Sequence, residues 1–298
     1  MTLRALTWNL FHGRDFPPNR ALFTTRSRLL RMTERDATHV QVNRSLRERF
    51  ISTVASWDWD IALFQECPPR WAGALARACD ADAHRVLTSR NNLAALRALA
   101  TFFNTDLVGS NEGGSNLTLV RKGNARSGEP HREEIVERRE LVLCPGPSPE
   151  RRTMSFVRLA RGVCVSNLHA STGPQNKDIA VQELRLAAER SVDWAAGVPL
   201  IFGGDLNVRP RERPIFDELA ERHNLRAPTA PDAIDHLLVR GLKVIEPPSA
   251  WPVEARELPF AGLRLRLSDH APVSARFALP AGDRTAATHD EIVGPDRI

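Results

Sequence analysis

The chain reads as a mixed α and β protein, and two observations predict that class. Short apolar runs of strand character outnumber segments of helical spacing. The helical segments fall between the strands instead of in one block. Run after run also ends on Asn, Asp, Glu or His. In chain order, residues 3–10 read as a strand. Residues 14–42 are polar and basic, contain Pro17-Pro18, and read as a long loop or excursion. Residues 44–57 place Leu46, Phe50, Ile51 and Val54 at helical spacing. Residues 60–65 form a short apolar strand. Residues 71–79 and 93–103 are rich in Ala and Leu and read as helices. Residues 116–121 and 137–143 alternate as strands do. Residues 144–149, Cys-Pro-Gly-Pro-Ser-Pro, form a turn or loop. Residues 153–159 and 163–168 read as a hairpin about Arg161-Gly162. Residues 178–194 form an amphipathic helix, with Ile179, Leu184, Leu186, Ala187 and Val192 set among Glu and Arg. Residues 200–202, 233–239 and 271–277 complete the strands. Past Leu279 the chain is polar and broken by Pro and Gly, which predicts a poorly ordered tail over 280–298.

The bulk numbers set bounds on function. The chain has 298 residues, 42% hydrophobic and 26% charged, enough for a core and ordinary for a globular protein. Lys and Arg number 41 against 36 Asp and Glu, a net charge of +5. That bias permits a polyanionic substrate without requiring one. No apolar run is long enough to span a bilayer, and the first residues enter a strand pattern at once, so a cytoplasmic protein is expected. Cys67, Cys79, Cys144 and Cys164 are scattered, with no C-x-x-C pair, which argues against zinc or a disulfide framework.

The most informative stretch is Pro199-Leu-Ile-Phe-Gly-Gly-Asp-Leu-Asn207. Its apolar start is a buried strand, and Gly203-Gly204 would let backbone or ligand come close. Asp205 and Asn207 are two residues apart, so on extended chain they face the same side. A carboxylate and a carboxamide aimed at one point suit activation of water beside a phosphate. The same residue types also suit a plain turn. The pattern recurs, however. Asn9, Glu66, His169, Asp235 and the pair Asp269-His270 also stand at strand ends. A single such residue is a cap, whereas six segments converge on one chemistry.

These strings, Trp8-Asn9, Gln65-Glu66, Asn167-Leu-His169, Gly204-Asp-Leu-Asn207, Ile234-Asp-His236 and Ser268-Asp-His270, resemble the endonuclease/exonuclease/phosphatase superfamily that includes deoxyribonuclease I. They occur in the family's order over nearly the whole chain. The resemblance implies a four-layer α/β/β/α sandwich, two mixed sheets face to face with helices outside and one cleft at the sheet ends. It implies one domain, residues 1–279. It implies metal-assisted attack of water on a phosphoester, with Mg²⁺ or Mn²⁺ bound by Glu66, Asn9 and Asp269. Asp205 would be the base. Asn207, His169 and His270 would contact phosphate, with Asp235 holding the His270 ring, and Arg152 is a further phosphate-binding candidate. His12 and His236, next to site residues, are expected to point away and be structural, and Cys67 to pack.

The chain departs from the AP endonucleases of this superfamily. It has no tyrosine, and it carries His169 where they place one; Phe11 stands where they carry an acid. The expected function is a nuclease or phosphodiesterase, acting as a monomer on nucleic acid or a nucleotide derivative without stable membrane insertion. The alternatives are a phosphatase or sphingomyelinase-like phospholipase for a small phosphoester, or a non-catalytic phosphate-binding module on the same fold.

Overall fold

The computed structural model describes residues 2–88, 114–123, 133–145 and 150–279. The helix expected over 93–103, most of the Pro-rich segment at 144–149 and the tail past 279 lie outside them. In chain order the elements are β1 (Thr2–Asn9), α1 (Thr25–Leu29), β2 (Thr33–Arg35), β3 (Val40–Val42), α2 (Arg47–Ser56), β4 (Ile61–Gln65), α3 (Ala72–Ala78), β5 (Ala81–Leu87), β6 (Ser115–Arg121), β7 (Ile135–Cys144), β8 (Arg152–Leu159) and β9 (Cys164–His169). They continue with α4 (Lys177–Ala195), β10 (Leu200–Asp205), α5 (Ile215–His223), β11 (Asp235–Arg240), β12 (Lys243–Ala250), β13 (Glu257–Phe260), β14 (Leu263–Arg266) and β15 (Val273–Ala278). Two mixed sheets carry the fold, in the orders β12-β15-β1-β4-β6-β5 and β11-β10-β9-β8-β7. The structure is the α+β four-layer sandwich that the resemblance implies.

The two-residue period of the strands sorts their side chains into layers. Leu3 and Ala5 of β1, Ile61 and Leu63 of β4, Val165 of β9, Ile201 of β10 and Leu237 of β11 meet between the sheets. Leu6, Trp8, Ala62 and Phe64 face outward against Phe50 and Val54 of α2 and Leu75 of α3. On the other sheet, Leu168, Phe202 and Leu238 face outward against Leu184, Ala187 and Ala188 of α4 and Leu219 of α5. Counting on by two places Asn9, Gln65, Asn167, His169, Asp205 and Asp235 on the inner faces. The parallel registers Asn9↔Gln65 and Asp205↔His169, and the antiparallel register Asp205↔Asp235, bring them to one end of the sandwich.

A polar layer just beneath that end ties the sheets together. Gln65 Nε2 donates to Asn167 Oδ1 at 2.8 Å, and Asn167 Nδ2 donates to the carbonyls of Phe64 and Leu117 at 3.3 Å. Both side chains are fully buried, so removing either strands the other at a cost of about 1–3 kcal/mol. The glycine pair in β10 serves backbone, not ligand. A Cβ on Gly203 would lie 2.6 Å from the His236 carbonyl oxygen, and one on Gly204, at φ 134°, would lie 1.9 Å from that of Leu168.

Residues 14–42 are not a plain loop. They contain α1, β2 and β3, and they dock by their backbone on the C-terminal part of the chain. Phe16 N–H donates to the Arg266 carbonyl at 2.8 Å. The buried Asp15 carboxylate accepts from Gln41 Nε2 and Val42 N–H, both at 2.7 Å. Long-range partners, not local periodicity, shape this segment. Sequence reading also misses β5, α5 and β12 to β14. No disulfide joins the four cysteines. Among the described residues no helix is long and apolar enough to cross a membrane.

Candidate active site

The cluster is built around Asp205, buried at the end of β10. Asn9 Nδ2 donates to its Oδ2 at 2.9 Å, and Asn9 Oδ1 in turn accepts from Phe11 N–H at 2.9 Å, which fixes the amide's orientation. The same Asp205 Oδ2 lies 3.5 Å from His169 Nε2 and 3.8 Å from His270 Nε2. His270 Nδ1 donates to Asp235 Oδ2 at 2.8 Å. The His270 backbone is held from both sides. Trp8 Nε1 donates to its carbonyl at 2.9 Å, and its N–H donates to Ser268 Oγ, which itself donates to the Asn9 carbonyl at 2.6 Å. Arg256 adds donors to the carbonyls of Leu267 and Ser268. The loop carrying Asp269 and His270 is therefore pinned to the end of β1.

Electrostatics separates the two imidazoles. Burial lowers the pKa of His169 well below the usual histidine value, and Arg152, His270 and His12 add to that, so it is neutral. Burial opposes charge on His270 too. There the carboxylates of Asp235, Asp205 and Asp269 prevail and raise its pKa well above the usual value. Asp205 itself is pushed up to about 7. Burial is the main cause, the carboxylates of Asp235 and Glu66 add to it, and His270 and Asn9 oppose it. A carboxyl poised there suits proton abstraction near neutral pH.

Glu66 follows β4 with a left-handed backbone, φ 48°. Its Oε1 is 3.9 Å from His169 Nε2, and its Oε2 is 3.2 Å from His12 Nε2. Asp269 Oδ1 is buried without a hydrogen-bond partner, 3.9 Å from His270 Nε2. Burial raises the Asp269 pKa, and the charge of Glu66 adds to the rise. Two carboxylates, one of them raised by the other's charge and carrying an unpartnered oxygen, and the amide oxygen of Asn9 form a hard-donor set. These residues fit a divalent cation of the Mg²⁺ or Mn²⁺ kind. Asp205, Asp235 and His270 also lie close enough to share an ion, their ligand atoms within 4.8 Å of one another. That trio suits a cation less, because His270 Nδ1 is committed to Asp235 and its ring is held protonated.

Asn207 reaches the site by a different route from the one its spacing suggests. β10 ends at Asp205, and Asn207 has φ 53°, not extended backbone. Its N–H donates to Asp205 Oδ1 at 3.2 Å, and its Nδ2 donates to the Ala170 carbonyl at 3.1 Å, which leaves one amide hydrogen of Nδ2 uncommitted. Arg152 begins β8 at the end of the sheet where His169 lies. It is buried, 3.9 Å from Glu150, and close enough to His169 to depress its pKa. His236 is structural as expected: Thr229 N–H donates to its Nδ1, and its Nε2 donates to the Val208 carbonyl at 3.1 Å. His12 is a correction. It stands past the end of β1 with φ 53° and turns toward Glu66, so strand alternation does not govern it. Cys67 is fully buried, in line with packing.

Two face-to-face sheets whose strand ends gather buried acids, amides and imidazoles form an α/β/β/α sandwich with a polar cleft at one end. Residues 6–270 match the Endonuclease/Exonuclease/phosphatase family, and the chain belongs to that family, whose members hydrolyse phosphoester bonds. No curated protein matches the chain. Among solved structures, an endonuclease/exonuclease/phosphatase family protein from Bacteroides thetaiotaomicron superposes with TM-score 0.59 at 16% identity, covering 94% of this chain and 98% of that one. A mannosyl-6-phosphatase of the same organism gives 0.57 at 16%, covering 93% and 100%. A humanized D. rerio TDP2 gives 0.53 at 15%, covering 93% and 98%. At these identities the likeness shows the fold.

Proposed function

We propose that this protein is a divalent-metal-dependent phosphodiesterase, in first place a nuclease, with residues 1–279 as its catalytic unit. The observation that carries the reading is Asp205: a buried carboxyl raised toward neutrality, oriented by Asn9, and facing one neutral and one charged imidazole. Ionised Asp205 takes a proton from water as the water oxygen attacks phosphorus. The bond from phosphorus to the leaving oxygen breaks as the new one forms. His270, held protonated by Asp235, donates to a phosphoryl oxygen as negative charge builds on it. Neutral His169 and the remaining amide hydrogen of Asn207 hold the phosphate against the opposite wall. Burial keeps the His169 ring neutral, and the charge of Arg152 adds to that. Glu66 and Asp269, with Asn9 beside them, would hold the ion, which when bound polarises the phosphoryl oxygens and steadies the leaving oxygen.

The test is a substrate panel: plasmid, single-stranded DNA, RNA, a chromogenic bis-ester and its mono-ester, each with Mg²⁺, Mn²⁺ or EDTA. The expected result is metal-dependent cleavage of diesters in preference to the mono-ester. Turnover of the mono-ester alone would replace the reading with a phosphatase. Turnover of none would leave a phosphate-binding module.

A further inference from the structure

The segment that leaves β1 beside Asn9 carries an alternation the site does not use. Phe11, Phe16 and Phe23 form a chain, with ring centroids 5.6 Å and then 5.5 Å apart. Each ring has a guanidinium over it: Arg14 on Phe11 at 3.9 Å, Arg20 on Phe16 at 5.8 Å and Arg28 on Phe23 at 5.4 Å. All three rings are half-buried. The first step of this ladder is fixed to the cleft. Phe11 N–H donates to Asn9 Oδ1, Ser268 N–H donates to the Arg14 carbonyl at 3.0 Å, and the Arg14 charge is felt by Asp269.

The charge of the segment is unbalanced. Residues 14–35 hold six arginines and two acids. Both acids are engaged, Asp15 with Gln41 and Val42, and Glu34 with the Thr24 hydroxyl. Among the described residues Arg20, Arg26, Arg31 and Arg35 have no carboxylate within ion-pair distance. Arginines on α4, α5 and β14, by contrast, pair with Glu218 and Glu257. The exposed guanidinium of Arg20, lying on the Phe16 ring, offers its other face to a second planar group, and its N–H fork suits a phosphate. Planar groups and phosphates at successive steps describe a nucleic-acid strand whose bases are unpaired.

We propose that the Arg–Phe ladder of residues 11–28 is a docking track for a single-stranded stretch of polynucleotide, leading from the cleft at Asn9 outward along the excursion. This rests on the nuclease reading and specifies its substrate. A paired duplex keeps its base faces covered and gains only the charge contacts. An anionic lipid surface is the rival, since Leu29 and Leu30 stand 62% and 60% exposed in the same segment. That surface would engage only the tip, however, and leave the ring ladder at the cleft unexplained.

The experiment measures equilibrium binding of a labelled oligothymidylate in EDTA, so that nothing is cut, across a salt series. Arg20→Ser/Arg26→Ser is expected to weaken binding and to lower the slope of log K against log salt by about 1.4, or about 0.7 for each phosphate no longer neutralised. Phe23→Leu, which keeps an apolar side chain, is expected to cost about tenfold by loss of stacking. A matched duplex is expected to bind more weakly than the single strand and to be insensitive to Phe23→Leu. Unchanged affinity and salt slope in both variants would overturn the proposal while leaving the nuclease reading standing, because the substrate panel tests that separately. Failure to bind the oligonucleotide, with sedimentation on phosphatidylserine vesicles abolished by Leu29→Ser/Leu30→Ser, would overturn it in favour of a lipid surface.

Discussion

Two buried glutamate or aspartate side chains in this molecule have been driven in opposite directions. Glu257, at the start of β13, accepts hydrogen bonds from His39 Nε2 at 3.0 Å, Arg264 Nη1 at 2.8 Å and Arg266 Nε and Nη2 at 2.8 and 2.7 Å. Burial would raise its pKa, but those three partners outweigh it and hold the carboxyl down at about 2. Asp205 is also buried, but its neighbours include Asp235 and Glu66, and it sits at about 7. The hub at Glu257 has more positive than negative charge and fastens the β13–β14 hairpin to β3. The cleft has more negative than positive charge. That surplus is a cost to the fold, and it is the feature from which a base and a cation site are made.

The largest expected effect is on turnover. Asp205→Asn keeps an acceptor for Asn9 but cannot take a proton, and a loss of about 10³-fold in kcat is expected with unchanged circular dichroism. Next, Glu257→Gln leaves Arg266 without a countercharge. Urea unfolding is expected to show a loss of about 3 kcal/mol at neutral pH, with kcat little changed. The two sites also part company in pH. The depressed Glu257 carboxyl stabilises the fold above its unfolded pKa, and that contribution is lost as pH falls toward 2. The Glu257→Gln penalty is therefore expected to shrink below about pH 4. The raised Asp205 carboxyl does the reverse: its ionised form is disfavoured in the fold, so stability falls as pH rises from about 4 to 7. Asp205→Asn is accordingly expected to raise Tm at pH 8 and not at pH 4. The smallest effect is on the other limb of the rate profile. Asp235→Asn removes a carboxylate that holds His270 protonated, and the alkaline fall of kcat/KM is expected to move to lower pH, with about tenfold lost at its maximum.

The sequence makes the cleft more legible than the hub, for physical reasons. Asn9, His169, Asp205 and Asp235 sit at inner-face positions where a two-residue period runs out, so local pattern names their face, and strand register brings them to one end. Glu66, Asn207 and His12 have left-handed φ, and alternation says nothing about where such a residue points. The family-like order of motifs locates Glu66 and Asn207, whereas nothing in the sequence turns His12 toward Glu66. The hub joins His39, in a segment read as loop, to two strands that sequence reading misses. Its hydrogen bonds span 218 residues from His39 to Glu257, and no window of local periodicity contains them. β12 escapes for a simpler reason, since it is an edge strand carrying Pro247-Pro248 and mostly exposed.

The central claim is that the surplus negative charge of the cleft is balanced by a divalent cation. Thermal unfolding of the whole chain in a Mg²⁺ or Mn²⁺ series tests it most directly. A ligand that binds only the folded state is expected to add about 2.7 kcal/mol at a hundred times its Kd. The Tm should rise with metal in the wild type, rise far less in Glu66→Gln and Asp269→Asn, and rise as before in Glu257→Gln. A Tm indifferent to metal, together with diester hydrolysis that survives EDTA, would contradict the account.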